Sequence, residues 1–132
     1  MDSLIDIIHY LSSRECEGRR VGTDGWQKAQ RYIISQMEKG GILPLTPDSY
    51  LQPLPGLRGN IDGANILGLI PGRGELRDRY ILIDGHYDHL GLDEDGLGYF
   101  PGADDNAASV AIILHAAGLF AESTDTGPRR SV

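Results

Sequence analysis

The residue types best suited to chemistry in this sequence lie between positions 86 and 105, where a histidine is followed by acidic residues. His86 and Asp88 come directly after the apolar run at 80–83, and Asp104 precedes an alanine-rich segment. Side chains alternate along a strand with a period of two, so His86 and Asp88 can share one side, where one binds metal and the other orients it. The carboxylate of Asp104 has two oxygens and can bridge two cations roughly 3.5 to 4 Å apart. The pattern therefore predicts a divalent-metal site with His86 and Asp104 as ligands and Asp88 as the supporting catalytic carboxylate.

The other polar residues nearby are interpreted as structural. Asp105 is expected to shape the turn or to hydrogen-bond the start of a helix, because two adjacent side chains rarely point at one ion. His89 follows the motif and His115 lies inside a predicted helix, so both are expected to be structural. The basic segment at 18–20 is expected to be a solvated loop. Cys16 is the single cysteine, which excludes an internal disulfide and favours a structural thiol.

Two stretches around these residues resemble a known family of enzymes. They read ILIDGHYDHLG at 81–91 and YFPGADDNAASVA at 99–111. Together they are similar to the co-catalytic zinc peptidases of the bacterial leucyl aminopeptidase and aminopeptidase Y family, and shorter upstream segments extend the likeness over nearly the whole chain. By this resemblance, His86 binds one zinc ion, Asp104 bridges two, and Asp88 supports His86.

The resemblance implies that the intact enzyme hydrolyses the amino-terminal peptide bond of peptide substrates with two zinc ions. Members of the family use a glutamate on a following strand as general base, together with further metal ligands, and none follows Asp104 in a suitable context. The chain is therefore expected to be the amino-terminal half of such an enzyme and to be inactive alone. The likeness also implies a cis peptide bond between Asp104 and Asp105.

Two other classes of function stay open. Glutaminyl cyclases, which are zinc acyltransferases with one metal ion, share this fold and similar metal residues. Receptor modules that resemble the peptidases use the fold for protein binding without catalysis. The presence of both His86 and Asp104 argues against a complete loss of metal in this chain.

Length and composition favour one globular domain spanning residues 1–132. Of its residues, 40% are hydrophobic and 23% are charged, which argues against both a disordered protein and a membrane protein. A formal net charge of −7 argues against nucleic acid as a partner. The amino terminus lacks the pattern of a secretory signal, so a cytoplasmic location is expected for the chain as written, or export if a leader is missing.

Hydrophobic periodicity and turn residues predict three helices and several short strands. The helices are expected at 4–11 with Ser3 as N-cap, at 26–37 with Thr23 or Asp24 as N-cap, and at 106–121, the last buried on most sides. The strands are expected at 65–70 and 80–84, as antiparallel neighbours, at an edge around 50–54, and at 131–132 after a break at 124–128.

This order of elements predicts an α/β fold in which a mixed sheet is flanked by helices. The resemblance implies the three-layer architecture of zinc peptidases, here truncated. A sheet without its later strands would expose an edge and the apolar face of the helix at 106–121, so self-association through the edge is expected.

Overall fold

The computed structural model describes residues 1–123 and 127–132, apart from the side chain of Arg58. Within these residues, three α-helices and four short β-strands follow one another along the chain. The helices are α1 (Leu4–Leu11), α2 (Asp24–Lys39) and α3 (Ala108–Glu122). The strands are β1 (Leu43–Pro44), β2 (Leu51–Arg58), β3 (Ile61–Ile66) and β4 (Gly68–Leu69). Short 3-10 turns occupy Arg14–Arg19 and Gly74–Leu76, and a wide turn at Ala103–Ala107 leads into α3.

The first two helices begin where their capping residues predict. The hydroxyl of Ser3 accepts a hydrogen bond from the backbone N–H of Asp6 at 3.2 Å, which supplies a partner that the first turn of α1 otherwise lacks. Thr23 does the same for the N–H of Trp26 at the start of α2, also at 3.2 Å. Both predicted helices are confirmed, and Thr23 rather than Asp24 is the N-cap of α2.

The core forms where the three helices meet. Its fully buried members include Ile7 and Leu11 of α1, Ala29 of α2, and Ala111 and Leu114 of α3. The helical spacing of the apolar residues in α1 and α2 places them on one face, and that face is the one that is buried.

Helix α3 is less covered than its sequence predicts. Ile112, Leu119 and Phe120 are 57%, 67% and 42% exposed, so the expectation of burial on most sides is wrong. The helix is apolar almost all round, and α1 and α2 pack against only one side of it. An apolar face is left open to solvent.

The strands form two separate antiparallel pairs among the described residues, β1 with β4 and β2 with β3. The hairpin β2–β3 is longer than the edge strand expected around 50–54, and it tolerates Pro53 and Pro55 because a two-stranded ribbon leaves one side of each strand without ladder bonds. The strand expected at 65–70 is divided, since Leu67 separates β3 from β4.

The predicted antiparallel pairing of 65–70 with 80–84 is wrong, because the last two residues of the chain lie between these segments. Ile70 and Val132 exchange both backbone hydrogen bonds, at 2.7 and 2.9 Å. Tyr80 instead forms a parallel bridge with Ser131, and the Ile81 N–H donates to the Ser131 carbonyl oxygen at 2.9 Å. Segment 80–84 therefore pairs only at its beginning and is not a regular strand.

Helices combined with small antiparallel sheets are consistent with the predicted α/β fold class. The three-layer architecture and the assignment of residues 1–132 to one domain stay predictions. The break expected at 124–128 falls mostly outside the described residues. No helix within the described ranges is long and apolar enough to cross a bilayer.

Candidate metal centre

The residues from His86 to His89 are positioned by a tyrosine that anchors the loop to the core. Tyr87 packs against the helical core and stacks on Trp26 with ring centroids 5.9 Å apart. Its hydroxyl donates to the Ala64 carbonyl oxygen at 2.9 Å. Because side chains alternate in an extended segment, His86 and Asp88 face the opposite way, into a shallow surface cavity. The prediction that the side chains of His86 and Asp88 face the same side is confirmed.

The imidazole of His86 lies between two carboxylates. Its Nδ1 is 3.1 Å from the backbone oxygen of Asp88 and 3.6 Å from the Asp88 Oδ1. Its Nε2 is 3.1 Å from the Oδ1 of Asp105. A carbonyl oxygen only accepts, so the hydrogen bond to the Asp88 backbone requires the proton on Nδ1. In the neutral ring, Nε2 then carries the lone pair and faces Asp105.

The structure brings Asp105, rather than Asp104, to the histidines. The second oxygen of Asp105, Oδ2, is 3.6 Å from the Nδ1 of His89, so its carboxylate spans both imidazoles. Asp104 is exposed on the same wide turn and does not line the cavity. The assignment of Asp104 as a ligand therefore stays a prediction without a geometric basis in this structure.

The cis peptide bond implied between Asp104 and Asp105 is found one residue later, between Asp105 and Asn106. The other histidine set aside as structural, His115, has its Nε2 3.1 Å from the Asp2 backbone oxygen, on a different part of the surface. That contact accords with a structural role.

The cavity has a volume of about 380 Å³ and is open to solvent. Its lining comprises Arg20, His86, Asp88, His89, Leu90 and Asp105. The side chains of His86 and Asp105 are 53% and 66% exposed, whereas that of His89 is 13% exposed. A small polar ligand or an ion can therefore reach the His86–Asp105 pair directly from solvent.

The donor atoms are compatible with zinc in type and in separation. Zinc binds imidazole nitrogen and carboxylate oxygen at about 2.0 to 2.2 Å, which places two ligands of a tetrahedral ion roughly 3.3 Å apart. The Nε2 of His86 and the Oδ1 of Asp105 are 3.1 Å apart. Over the described part of the chain, no group of three or more histidine, cysteine or acidic side chains is arranged to hold a metal ion. The pair therefore supplies fewer ligands than a complete zinc site.

Sequence reasoning missed two members of this cluster. The sequence predicts a structural role for His89, yet it lies three residues after His86, and the same loop turns both side chains toward the cavity. The sequence does not distinguish Asp105 from Asp104 as a partner for His86, because two adjacent aspartates look alike until the backbone direction is known. The available signal was the doubled Asp104–Asp105 itself, which offers either carboxylate to the site.

Histidine nitrogen and carboxylate oxygen are the donor atoms that bind catalytic metal ions in many hydrolases. Comparison with protein-family models gives a match over residues 65–132 to the model described as Peptidase family M28. The matched segment covers just over half of the chain and contains the whole cluster, and the chain belongs to this family of metallopeptidases. Searches of curated proteins and of solved structures give no match.

Proposed function

We propose that the chain carries part of the zinc site of an aminopeptidase acting on peptide substrates. His86 and Asp105 would hold the metal through Nε2 and Oδ1, and Asp88 would orient His86. The observation that carries this proposal is the placement of the His86 ring, with one nitrogen on Asp88 and the other on Asp105. Membership of the family supports it, since the matched segment includes all three residues.

The contact between His86 and Asp105 is compatible with a metal ion held between the two side chains. With the proton on Nδ1, a neutral His86 presents a lone pair to a carboxylate oxygen 3.1 Å away, and two acceptors at that distance repel. A proton on Nε2 relieves this repulsion, and so does a metal ion held by both atoms. Histidine ligands whose second ring N–H is hydrogen-bonded are the usual arrangement in zinc sites.

When bound, zinc supplies the Lewis acidity that peptide hydrolysis requires. The residues of this chain would hold and orient it. The backbone carbonyl of Asp88 would keep the ring of His86 in the tautomer that leaves Nε2 free, and the second oxygen of Asp105 lies on the His89 side. We transfer to Asp105 the bridging role that the resemblance implies for Asp104.

A zinc titration followed through the imidazole resonances of His86 tests the assignment. We expect weak binding that Asp105→Asn abolishes and Asp104→Asn leaves within about twofold, since of these two neighbours Asp105 is the one whose carboxylate contacts the ring. The two variants change charge equally and lie next to each other, so Asp104→Asn is a matched control. Loss of binding in Asp104→Asn with retention in Asp105→Asn would refute our assignment and favour Asp104 as the ligand.

We further propose that the 132-residue chain does not hydrolyse peptides by itself. The resemblance assigns the general base to a glutamate, and the two carboxylates that line the cavity, Asp88 and Asp105, are the ones proposed to orient His86 and to hold the metal. Chromogenic amino-acid amides incubated with the purified chain and zinc should show no turnover. Turnover that survives repurification and is lost in His86→Ala would contradict this proposal.

A further inference from the structure

The side chain of Arg19 is fully buried, although the sequence predicts a solvated basic loop at 18–20. That expectation is wrong for Arg19. Its guanidinium donates four hydrogen bonds to backbone carbonyl oxygens in three separate parts of the chain. Nη1 donates to the Leu11 oxygen and also, at 2.8 Å, to the Pro101 oxygen. Nε donates to the Tyr87 oxygen and Nη2 to the Gly102 oxygen, each at 2.8 Å.

Two of those parts are the loops that carry the metal-site residues. Tyr87 lies between His86 and Asp88, and Gly102 lies three residues before Asp105, at the start of the wide turn. A single guanidinium therefore joins the two backbone segments whose side chains meet at the His86–Asp105 contact.

The backbone of the same segment extends the connection. The carbonyl oxygen of Arg19 accepts from the His89 N–H at 3.2 Å, and that of Gly18 accepts from the Gly91 N–H at 2.9 Å. Arg19 has a φ of +51°, a conformation that L-residues adopt rarely. The backbone of Arg19 thus faces the loop after His86 while its side chain reaches the same loop and the wide turn.

We propose that Arg19 is a positioning residue that holds the His86–His89 loop and the Asp105 turn at the separation needed for one metal ion. The role of Arg19 in metal binding rests on the proposed function, whereas its joining of the two loops follows from the hydrogen bonds alone. The four side-chain hydrogen bonds of Arg19 all go to backbone carbonyl oxygens and none to the imidazole of His86 or the carboxylate of Asp105, so it acts through the backbone.

Arginine suits this role because its planar fork has five N–H donors in fixed directions, of which four are used here. Burial lowers the pKa of Arg19, an effect that the nearby Asp105 and Asp88 carboxylates oppose. A lysine would keep the positive charge, but a single ammonium has three donors at one point and cannot reach carbonyls on three segments.

The test compares Arg19→Lys and Arg19→Met with Arg14→Lys in the full chain. Arg14 also donates to a backbone carbonyl, that of Leu97 at 2.9 Å, but it lies on the surface and joins no part of the cluster, so it is the matched control. Amide hydrogen exchange is measured in zinc-free protein, and zinc affinity is then measured at the His86 ring.

In both Arg19 variants, we expect the hydrogen-exchange protection factors of the His89 and Ala107 amides to fall by at least about tenfold, while those of amides within α2 stay unchanged. Zinc affinity at His86 should fall by about 10 to 100-fold, as is usual when groups that orient a ligand are removed. Arg14→Lys should change neither quantity.

Equal loss of protection throughout the chain would mean that Arg19 contributes only to global stability, and this would overturn the inference. Full protection and full zinc affinity in Arg19→Lys would overturn it as well, because the charge alone would then suffice. If wild-type His86 shows no response to zinc, the proposed function is refuted, and the exchange data still decide whether Arg19 joins the loops.

Discussion

Replacing Gly18 with alanine should destabilise the chain more than replacing Gly74, although both glycines have nearly the same backbone conformation. Their φ angles are +67° and +65°, in the left-handed region that favours glycine. A Cβ at Gly74 meets no atom within 4 Å, whereas one at Gly18 overlaps the carbonyl oxygen of Gly91 and lies 2.8 Å from the Gly91 Cα. The two substitutions share the conformational cost and differ in the steric one.

The magnitudes follow from these two terms. An L-residue in the left-handed region costs roughly 1 to 2 kcal/mol, which is the whole effect expected for Gly74→Ala. Overlap with rigid backbone adds about 1 to 3 kcal/mol, so Gly18→Ala should lose roughly 2 to 5 kcal/mol. Relief of the overlap requires the Gly91 backbone to move, which would lengthen the hydrogen bond from its N–H to the Gly18 oxygen, now 2.9 Å.

Urea unfolding of the two variants measures the difference, and amide chemical shifts report where the structure moves. We expect shifts concentrated at residues 89–91 in Gly18→Ala and confined to the neighbourhood of residue 74 in the control. Equal losses of unfolding free energy would refute the reasoning, because the close approach of Gly18 to Gly91 would then carry no energetic weight.

Two further predictions concern stability and association. The hydrogen bond from Lys39, and to a smaller extent that from Tyr32, lowers the pKa of Asp2. The ionised Asp2 should therefore stabilise the fold at pH values above its unfolded pKa of about 4. This contribution should be lost as the pH falls through the lower pKa of the folded state. Asp2→Asn should therefore flatten the dependence of unfolding free energy on pH below about 4, and an unchanged acid transition would contradict this. We also propose that the chain self-associates through the open edge at 80–83, where Leu82 is 83% exposed. Leu82→Lys should shift sedimentation toward monomer while Leu97→Lys, at a loop residue 75% exposed, should not, and a monomeric wild-type chain would count against the proposal.

The features that the sequence predicted correctly depend on neighbours in the chain. The caps of α1 and α2 join Ser3 to Asp6 and Thr23 to Trp26, each three residues apart, so they can be recognised from residue type and spacing. The shared side of His86 and Asp88 follows equally from the alternation of an extended segment. Short-range geometry of this kind is nearly independent of the rest of the fold.

The tertiary structure decided which residues meet across long separations. Arg19 binds carbonyls 68 to 83 residues away along the chain, and nothing in a basic loop distinguishes this buried arginine from the exposed Arg20 beside it. That the carboxylate of Asp105, and not that of Asp104, contacts His86 depends on the direction in which the wide turn presents its side chains. The pairing of Ser131 with Tyr80 likewise brings together residues about 50 positions apart. Such contacts form only when separate segments pack, and local residue types do not encode which segments those are.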